Sequence, residues 1–310
     1  MYEVRAASPA DLDAVIELVV RLQMEPAHLI GFHGTSRAEV TEELGDLRPG
    51  WPAGAVVATD RDGRLRGVLS VDVDDGRAYL YGPFVDVPAG HPAAEQVWCR
   101  TAEDLYTSVL STVDGKAVNL FGHRQNRMLA DFAARHDASA DQVQRVFELT
   151  EGPLRALLVH DAGKPSTSDD RVTLLPRADA AAIAALHDRC FPGGTTTGPQ
   201  LVAEDGEFTV VVVRGRSGVL GYAAGFTQAE EYFVYAIGVE PTVRSRGVGR
   251  MLVRGLLAQL AARTGARNRA AALIRLGNDA SERMFTALGF TLTLELVNYR
   301  TVGQVIAAAR

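Results

Sequence analysis

The chain has 310 residues, of which 47% are hydrophobic and 23% are charged, a composition that argues against disorder and suffices for two domains of ordinary size. Its formal net charge is −6, whereas general polyanion binders usually carry a basic excess, so nucleic acid is not expected as a partner. No apolar run approaches the ~18 residues needed to span a bilayer, and we therefore expect a cytoplasmic protein that does not associate with membranes.

The first half of the chain predicts an alternation of strands and helices separated by turn residues. The predicted elements are, in chain order, a strand at 2–7, a helix capped near Ser8, a short helix at 36–44, strands at 54–59, 66–73 and 78–85, a helix at 92–109, a strand at 117–121, a helix at 126–135 and a strand at 143–149.

The second half predicts the same order of elements. They are a strand at 171–176, a helix at 179–190, strands at 208–214, 219–227 and 232–239, a helix at 247–264, a strand at 270–276, a helix at 280–288 and a strand at 291–299. Matching residues recur at a nearly constant separation, namely Gly67 with Gly221, Pro88 with Pro241 and Phe132 with Phe285. The shared order and the steady separation indicate a duplicated domain.

The domain boundaries follow from the repeat and from composition. Residues 156–170 contain a run rich in Gly, Pro, Ser, Thr and Asp without apolar periodicity, which is typical of a linker. We therefore predict a first domain at 1–155, a linker at 156–170 and a second domain at 171–310.

A turn with two glycines, Gly247 and Gly249, joins the predicted strand at 232–239 to the helix that follows. Unpaired N–H groups at a helix start attract anions, and glycine lets an anion approach the main chain closely. A dinucleotide-binding turn would need a small residue where Leu252 stands, and a Walker loop would need a lysine, whereas the lysines of this chain are Lys116 and Lys164. The turn therefore predicts a phosphate site of another kind.

The pattern Arg-x-x-Gly-x-Gly at 244–249, preceded by Val-x-Pro, resembles the acyl-CoA pyrophosphate loop of the GNAT superfamily of N-acetyltransferases. Residues 278–290 resemble its second signature, Asn-x-x-Ala-x-x-Leu-Tyr-x-x-x-Gly-Phe. The resemblance covers most of 171–300 and extends more faintly, by repetition, to 2–150. It implies an α/β fold of the α+β type with two tandem GNAT-like domains, each a mixed, mostly antiparallel sheet flanked by helices.

The resemblance implies that the second domain binds acetyl-CoA as a co-substrate. From 241 to 278 the chain has eight arginines and no acidic residue, and guanidinium groups suit phosphate oxygens. A backbone N–H near Val239 is expected to meet the oxyanion, on a strand edge that accepts the pantetheine arm. The expected contacts are Ile237, Gly238, Val239, Arg244, Ser245, Arg246, Gly247, Val248, Gly249, Arg250, Asn278, Ser281 and Phe285.

The corresponding segment of the first domain lacks these features. Ala94 and Gln96 stand where the glycines are expected, Pro92 is nearby, and Glu95 would repel an anion. We therefore predict that the first domain is a degenerate copy that does not bind coenzyme A by this route.

The resemblance implies Glu231 as the catalytic base, because a primary amine with a pKa near ~10.4 is mostly protonated at neutral pH. The alternative is a solvated carboxylate at a strand end, with Glu230 equally placed. The superfamily commonly has a tyrosine acid at the position of Phe285, and Tyr299, Tyr235 or water could replace it. Tyr299 is our predicted acid.

The threonine-rich loop at 191–198 is expected to shape the acceptor side of this site. The two cysteines, Cys99 and Cys190, are too few for a disulfide framework, and no metal site is predicted.

The predicted function is an acetyl-CoA-dependent N-acetyltransferase in which a primary amine attacks the thioester directly. The acceptor is expected to be a small-molecule or peptide amine. The sequence is also compatible with a homodimer. The alternative is a non-catalytic module that binds or senses coenzyme A on the same fold.

Overall fold

The computed structural model describes residues 2–74, 76–88, 90–162, 172–216 and 218–301. Their contacts divide the chain into two compact units. Unit 1 comprises the described residues up to 144 together with those from 294 onward, and unit 2 comprises residues 145–293. The predicted second domain, 171–310, takes in the whole last strand, of which the residues from 294 onward are counted here with unit 1.

Unit 1 contains the first strands and helices of the chain. They are β1 (Glu3–Ala6), α1 (Leu12–Gln23), α2 (Arg37–Asp46), β2 (Ala55–Thr59), β3 (Leu65–Val73), β4 (Arg77–Val85), α3 (Ala94–Val113), β5 (Ala117–His123), α4 (Arg127–Arg135) and the first part of β6 (Ala138–Thr150), which continues into unit 2.

Unit 2 contains the elements that follow. They are α5 (Glu151–Ala162), β7 (Val172–Leu174), α6 (Ala180–Cys190), α7 (Gly198–Leu201), β8 (Thr209–Gly215), β9 (Gly218–Thr227), β10 (Glu231–Val239), α8 (Val248–Thr264), β11 (Arg269–Arg275), α9 (Asp279–Ala287) and the start of β12 (Thr291–Thr301), whose remainder belongs to unit 1.

The sheet of unit 1 has the strand order β1-β2-β3-β4-β5-β12. Its ladders are antiparallel except for the parallel pair β4–β5. Strand β12 pairs with β5 from Leu296 opposite His123 to Arg300 opposite Asn119. Helix α3 covers β1 to β4 because its apolar residues recur at helical spacing and are buried, namely Trp98, Ala102, Leu105 and Val109.

The strands of unit 2 follow the order β7-β8-β9-β10-β11-β6, and of the ladders described among them the β10–β11 ladder is parallel, whereas β7–β8, β8–β9 and β9–β10 are antiparallel. Helix α8 packs on β8, β9 and β10 with a fully buried stripe, Leu252, Val253, Leu256, Leu257 and Leu260. Helix α6 covers β9 and β10 with a second apolar cluster that includes Ile183 and Leu186. Because each face of the sheet carries a helix, the strands of unit 2 read as long apolar runs.

The predicted architecture of two successive mixed, mostly antiparallel sheets with flanking helices is confirmed. The described part of the predicted linker, 156–162, is helical and completes α5, whereas 163–170 lie outside the described residues. Helix α5 forms because Leu154 and Leu157 are buried in the core of unit 2. No helix in the described part of the chain is both long and apolar enough to cross a bilayer.

Candidate active site

Strands β10 and β11 of unit 2 separate part of the way along their length. Their parallel ladder runs from Glu231 opposite Arg269 to Val234 opposite Ala272 and ends there in the described chain. The ladder between β10 and β9 continues, with a register shift between Val234 and Ala236. We call the open notch between residues 235–239 of β10 and 273–275 of β11 the fork. Its backbone edges can accept an extended ligand as a substitute strand.

The loop at the open end of the fork, residues 244–250, presents backbone N–H groups. Ser245 and Gly247 have positive φ angles of 62° and 86°, and α8 begins directly after Gly247. The first helical bond runs from the N–H of Met251 to the carbonyl of Gly247, at 3.1 Å. Within the described residues no acceptor is recorded for the N–H groups of 245–250, and no acidic side chain lies in the first turn of α8. This is the geometry of an anion site.

Arginines surround this loop. The guanidinium of Arg244 donates through Nε to the carbonyl of Val239 at 3.1 Å, which ties the loop to the end of β10. Arg246 and Arg250 are exposed, and no acidic partner is recorded for either among the described residues. Their charges therefore add to the partial positive charge at the start of α8.

Gly238 and Gly249, the two other glycines of the site, are packed closely against neighbouring side chains. A Cβ on Gly238 would lie 2.3 Å from the ring of Tyr222, which is fully buried. A Cβ on Gly249 would lie 2.6 Å from the sulfur of Met284, so α9 packs directly against the start of α8. At both positions an added Cβ would collide with the neighbouring side chain as it is packed here.

The predicted contacts on α9 have structural partners in the chain itself. The side-chain oxygen of Asn278 accepts the N–H of Ser281 at 3.3 Å and caps the helix. Phe285 is only 3% exposed and packs edge-on against Phe290, with ring centroids 4.9 Å apart. Phe285, at the position where the superfamily commonly has a tyrosine, is thus part of the core.

Glu231 lies at the start of β10, below the fork, where the ladder with β11 is closed. It is buried, and its carboxylate accepts the Nε–H of Arg269 at 2.7 Å. Arg269 also lies 3.6 Å from Glu148. The neighbouring Glu230 accepts a hydrogen bond from the side chain of Asn268. The predicted base is therefore a member of a partly buried ion pair.

Tyr299, the predicted acid, belongs to unit 1. It pairs with Leu120 of β5 and packs against the core of that unit, and burial raises the pKa of its hydroxyl. The fork and the loop at 244–250 belong to unit 2. Tyr299 therefore lies in unit 1, because the part of β12 that carries it pairs with β5.

A buried polar network that sequence reasoning missed lies on the α6 side of unit 2. Nδ1 of His187 is 2.6 Å from the hydroxyl of Tyr222, and its Nε2 is 3.0 Å from the carbonyl of Thr196. A carbonyl can only accept, so Nε2 donates to it and a neutral ring leaves Nδ1 to accept from Tyr222. Burial raises the pKa of Tyr222 well above its usual range, which keeps it a donor. The only sequence signal was the threonine-rich loop.

Unit 1 has the same fork, but its own chain occupies it. The β4–β5 ladder ends at Leu80 opposite Leu120. Beyond that point Ile30 forms an antiparallel β-bridge with Gly122, and the N–H of Gly31 donates to the carbonyl oxygen of Phe121 at 2.6 Å. We call residues 29–34 the plug.

Side chains hold the plug in place. The amide nitrogen of Gln23 donates to the carbonyls of Ile30 and His33 at 2.9 and 2.6 Å, and its oxygen accepts the N–H of Ile30 at 2.7 Å. The carboxylate of Glu43 lies 2.8 Å from Nδ1 of His33 and accepts the N–H of Gly34. In unit 2 the corresponding loop between α6 and α7 is short, and no such bridge to β11 is recorded in the described residues.

Comparisons with known proteins agree with this geometry. The model of the acetyltransferase (GNAT) family matches residues 180–290. The N-alpha-acetyltransferase RimI of Mycobacterium tuberculosis is 34% identical over an alignment of 128 residues that covers 37% of this chain and 75% of that protein.

Two solved structures resemble nearly the whole chain. A GCN5-related N-acetyltransferase from Sphaerobacter thermophilus has a TM-score of 0.66 and 15% identity, over 97% of this chain and 95% of that one. A tandem GNAT protein from the clavulanic acid biosynthesis pathway has a TM-score of 0.62 and 14% identity, over 97% and 98% of the two chains. At these identities the likeness concerns the fold.

Proposed function

The chain belongs to the GNAT family of acetyltransferases, and from this premise we propose that unit 2 binds acetyl-CoA and transfers its acetyl group to a primary amine. One observation carries the proposal: an open fork and an array of loop N–H groups, which have no acceptor among the described residues, lie at the same end of β10. An extended ligand with a pyrophosphate at one end fits that combination.

In this proposal the pyrophosphate binds the N–H groups of residues 244–250, with Arg246 and Arg250 as cationic partners. The pantetheine arm extends along the open edge of β10 at Ile237, Gly238 and Val239, where backbone groups substitute for the missing strand. Asn278, Ser281 and Phe285 support the site by holding α9 against the start of α8 through Met284.

The chemistry requires a neutral amine and a stabilised oxyanion. A backbone N–H of the open β10 edge is the proposed oxyanion donor, since a fixed donor costs no reorganisation during the reaction. Glu231 is the proposed base and acts through water, because it lies four residues, roughly 13 Å, below Tyr235, the first residue of the open part of the strand. Arg269 holds its carboxylate in place.

Unit 1 serves as a scaffold in this proposal. Its plug bonds to β5 beyond the end of the β4–β5 ladder, where a pantetheine arm on β4 would lie, and residues 94–96 lack the glycines of the second copy. We therefore expect one acetyl-CoA for each chain, bound in unit 2.

Isothermal titration of the full chain with acetyl-CoA tests this assignment. The expected stoichiometry is one, and Gly249→Asp should abolish binding because it places a carboxylate at the anion site. The matched control is Gln96→Asp, the aligned position in unit 1, which should leave the affinity unchanged. Two sites for each chain, or undiminished binding by Gly249→Asp, would contradict the proposal.

A second candidate function is a coenzyme A sensor without catalysis. The burial of Phe285 in the core favours it, since that position offers no proton donor. A screen of amines for acetyl-CoA-dependent thiol release separates the two functions. Turnover with any amine supports the transferase, whereas tight binding without turnover supports the sensor.

A further inference from the structure

A row of aromatic side chains crosses one face of the sheet of unit 2. Phe208 immediately precedes β8, Phe226 lies on β9 and Phe233 lies on β10, directly opposite Phe226 in the β9–β10 ladder. The ring centroids of Phe208 and Phe226 are 5.9 Å apart, and those of Phe226 and Phe233 are 5.2 Å apart. We call these three residues the aromatic row.

The alternation of side chains along β10 shows which face carries the aromatic row. Tyr232 and Val234 belong to the hydrophobic cluster that contains the buried stripe of α8, so Phe233 between them points to the opposite face. Phe208 packs against the cluster under α6. Phe226 and Phe233 are partly exposed and lie outside both clusters as the described residues define them. The aromatic row therefore offers ring surface to a ligand on the α6 side.

This inference rests on the proposed function, because the proposed places of the base and the thioester decide where the amine lies. Glu231 is two residues before Phe233 on β10, so both side chains project from the same face. The open edge that holds the thioester begins at Tyr235, two residues after Phe233. Between these two points the ladder with β11 is closed. An amine that serves both the base and the thioester must therefore lie on the face, over Phe233.

Charge at the same end of the sheet favours a protonated amine. Glu230 and Glu231 lie where β10 starts, and Asp205 and Glu207 are exposed in the loop that leads to the aromatic row. Arg269 offsets one of these charges through its bond to Glu231. A protonated amine is attracted both by carboxylates and by the face of an aromatic ring. The nitrogen of the acceptor thus has two reasons to lie over Phe233.

The spacing within the aromatic row indicates what the rest of the acceptor looks like. The ring of Phe226 is centred 5.2 Å from that of Phe233. A linker of two carbon atoms holds a nitrogen about 5 Å from the centre of a phenyl ring, given ordinary bond lengths. A ligand ring at that distance packs on Phe226, where it buries apolar area and gains the contacts that aromatic pairs prefer.

We propose that the acceptor of unit 2 is a primary amine with an aromatic ring two carbon atoms from its nitrogen. The nitrogen lies over Phe233, between Glu231 and the thioester, and the ring packs on Phe226 toward Phe208. A free arylethylamine and a peptide with an N-terminal phenylalanine share this chemistry, because the same two carbon atoms separate nitrogen and ring in both.

The test measures kcat/KM for thiol release by the full chain with two pairs of amines at saturating acetyl-CoA. One pair is 2-phenylethylamine and 2-methoxyethylamine, and the other is the peptide amides Phe-Gly-Gly and Ser-Gly-Gly. The aromatic member should be preferred by about tenfold or more in at least one pair, and that pair identifies the source of the amine. Isothermal titration of the same amines into the complex with coenzyme A provides a second readout that needs no turnover.

Variants of the aromatic row test its role directly. Phe233→Ala should bring the ratio within the preferred pair close to one. The matched control is Tyr79→Ala, at the same position of the β4–β5 ladder in unit 1, which should keep the ratio of the wild type. Phe226→Leu provides a second reading should Phe233→Ala lose its fold, since it keeps apolar volume but removes the ring; it should lower the ratio by about threefold or more.

The outcomes distinguish this inference from the proposed function. If the wild type does not bind acetyl-CoA, both are wrong. If it binds acetyl-CoA and neither pair shows a preference in either measurement, only the assignment of the acceptor is wrong. A preference that Phe233→Ala and Phe226→Leu both retain, or that Tyr79→Ala loses as well, overturns the role of the aromatic row.

Discussion

Gly238 and Gly249 are glycines because neighbouring side chains leave no room, whereas Gly247 adopts a left-handed conformation. The cost of adding a methyl group depends on what the methyl would meet. At Gly238 it meets the ring of Tyr222, which is fully buried and bonded to His187. At Gly249 it meets the end of the flexible, partly buried Met284. A rigid ring cannot yield as a thioether can.

We expect Gly238→Ala to lower the free energy of unfolding by about 1–3 kcal/mol, the usual cost of overpacking a closed core. Gly249→Ala carries the same added methyl and should cost less, since Met284 can move. Urea denaturation of the two variants and the wild type measures the difference. A larger loss for Gly249→Ala than for Gly238→Ala would contradict this reading of the two contacts.

The helix that follows the parallel pair begins with an asparagine cap in both units. Asn126 accepts the N–H of Leu129 at the start of α4, and Asn278 accepts the N–H of Ser281 at the start of α9. The same device recurs although the two signatures have diverged around it. Of these two helices, α9 is the one that contacts a glycine loop in the described structure, through Met284 and Gly249. The asparagine cap thus stabilises the start of the helix in both units. Its effect on ligand binding depends on whether the helix contacts the glycine loop, as α9 does.

We expect Asn278→Ala to lower the free energy of unfolding by about 1 kcal/mol, the typical value for a lost N-cap. It should also weaken acetyl-CoA binding, because a loosened α9 no longer supports the loop. Asn126→Ala is the matched control and should destabilise the protein without changing the affinity. Thermal unfolding and isothermal titration on both variants give the two quantities. Weaker binding by Asn126→Ala alone would refute the argument.

At the scale of the whole molecule, the last strand contributes residues to both units. Residues 291–293 of β12 are counted with unit 2, and those from 294 onward pair with β5 in unit 1. Leu296 is 3% exposed on the unit 1 part of the strand, whereas Leu292 is 42% exposed on the unit 2 part. Unit 1 is therefore complete only when residues 294–301 are in place.

We expect Leu296→Asp to destabilise unit 1 by about 3 kcal/mol or more, because it buries an unpaired carboxylate. Leu292→Asp is the matched control on the same strand and should change stability by less than about 0.5 kcal/mol. Hydrogen exchange measured by mass spectrometry should report faster exchange in β5 for Leu296→Asp. Unchanged protection of β5 would show that β12 does not complete this sheet.

Part of the candidate site could be predicted from the sequence and part could not. The loop at 244–250 was predicted, since glycines, arginines and a helix start are all local signals. The ion pair of Glu231 with Arg269 was not, because it depends on a partner distant in the chain. Tyr235 was named only as a substitute acid, as its contacts with Thr196 arise from folding.

The sequence by itself determined the order of strands and helices, the duplication and the one intact glycine loop, since periodicity, turn residues and spacing are local. Only the tertiary structure decided that β12 completes unit 1, that Tyr299 goes with it, and that the plug closes one fork while the other stays open. The physical reason is that an apolar strand specifies which face it buries but not which edge it joins. The choice of edge is made by the whole fold.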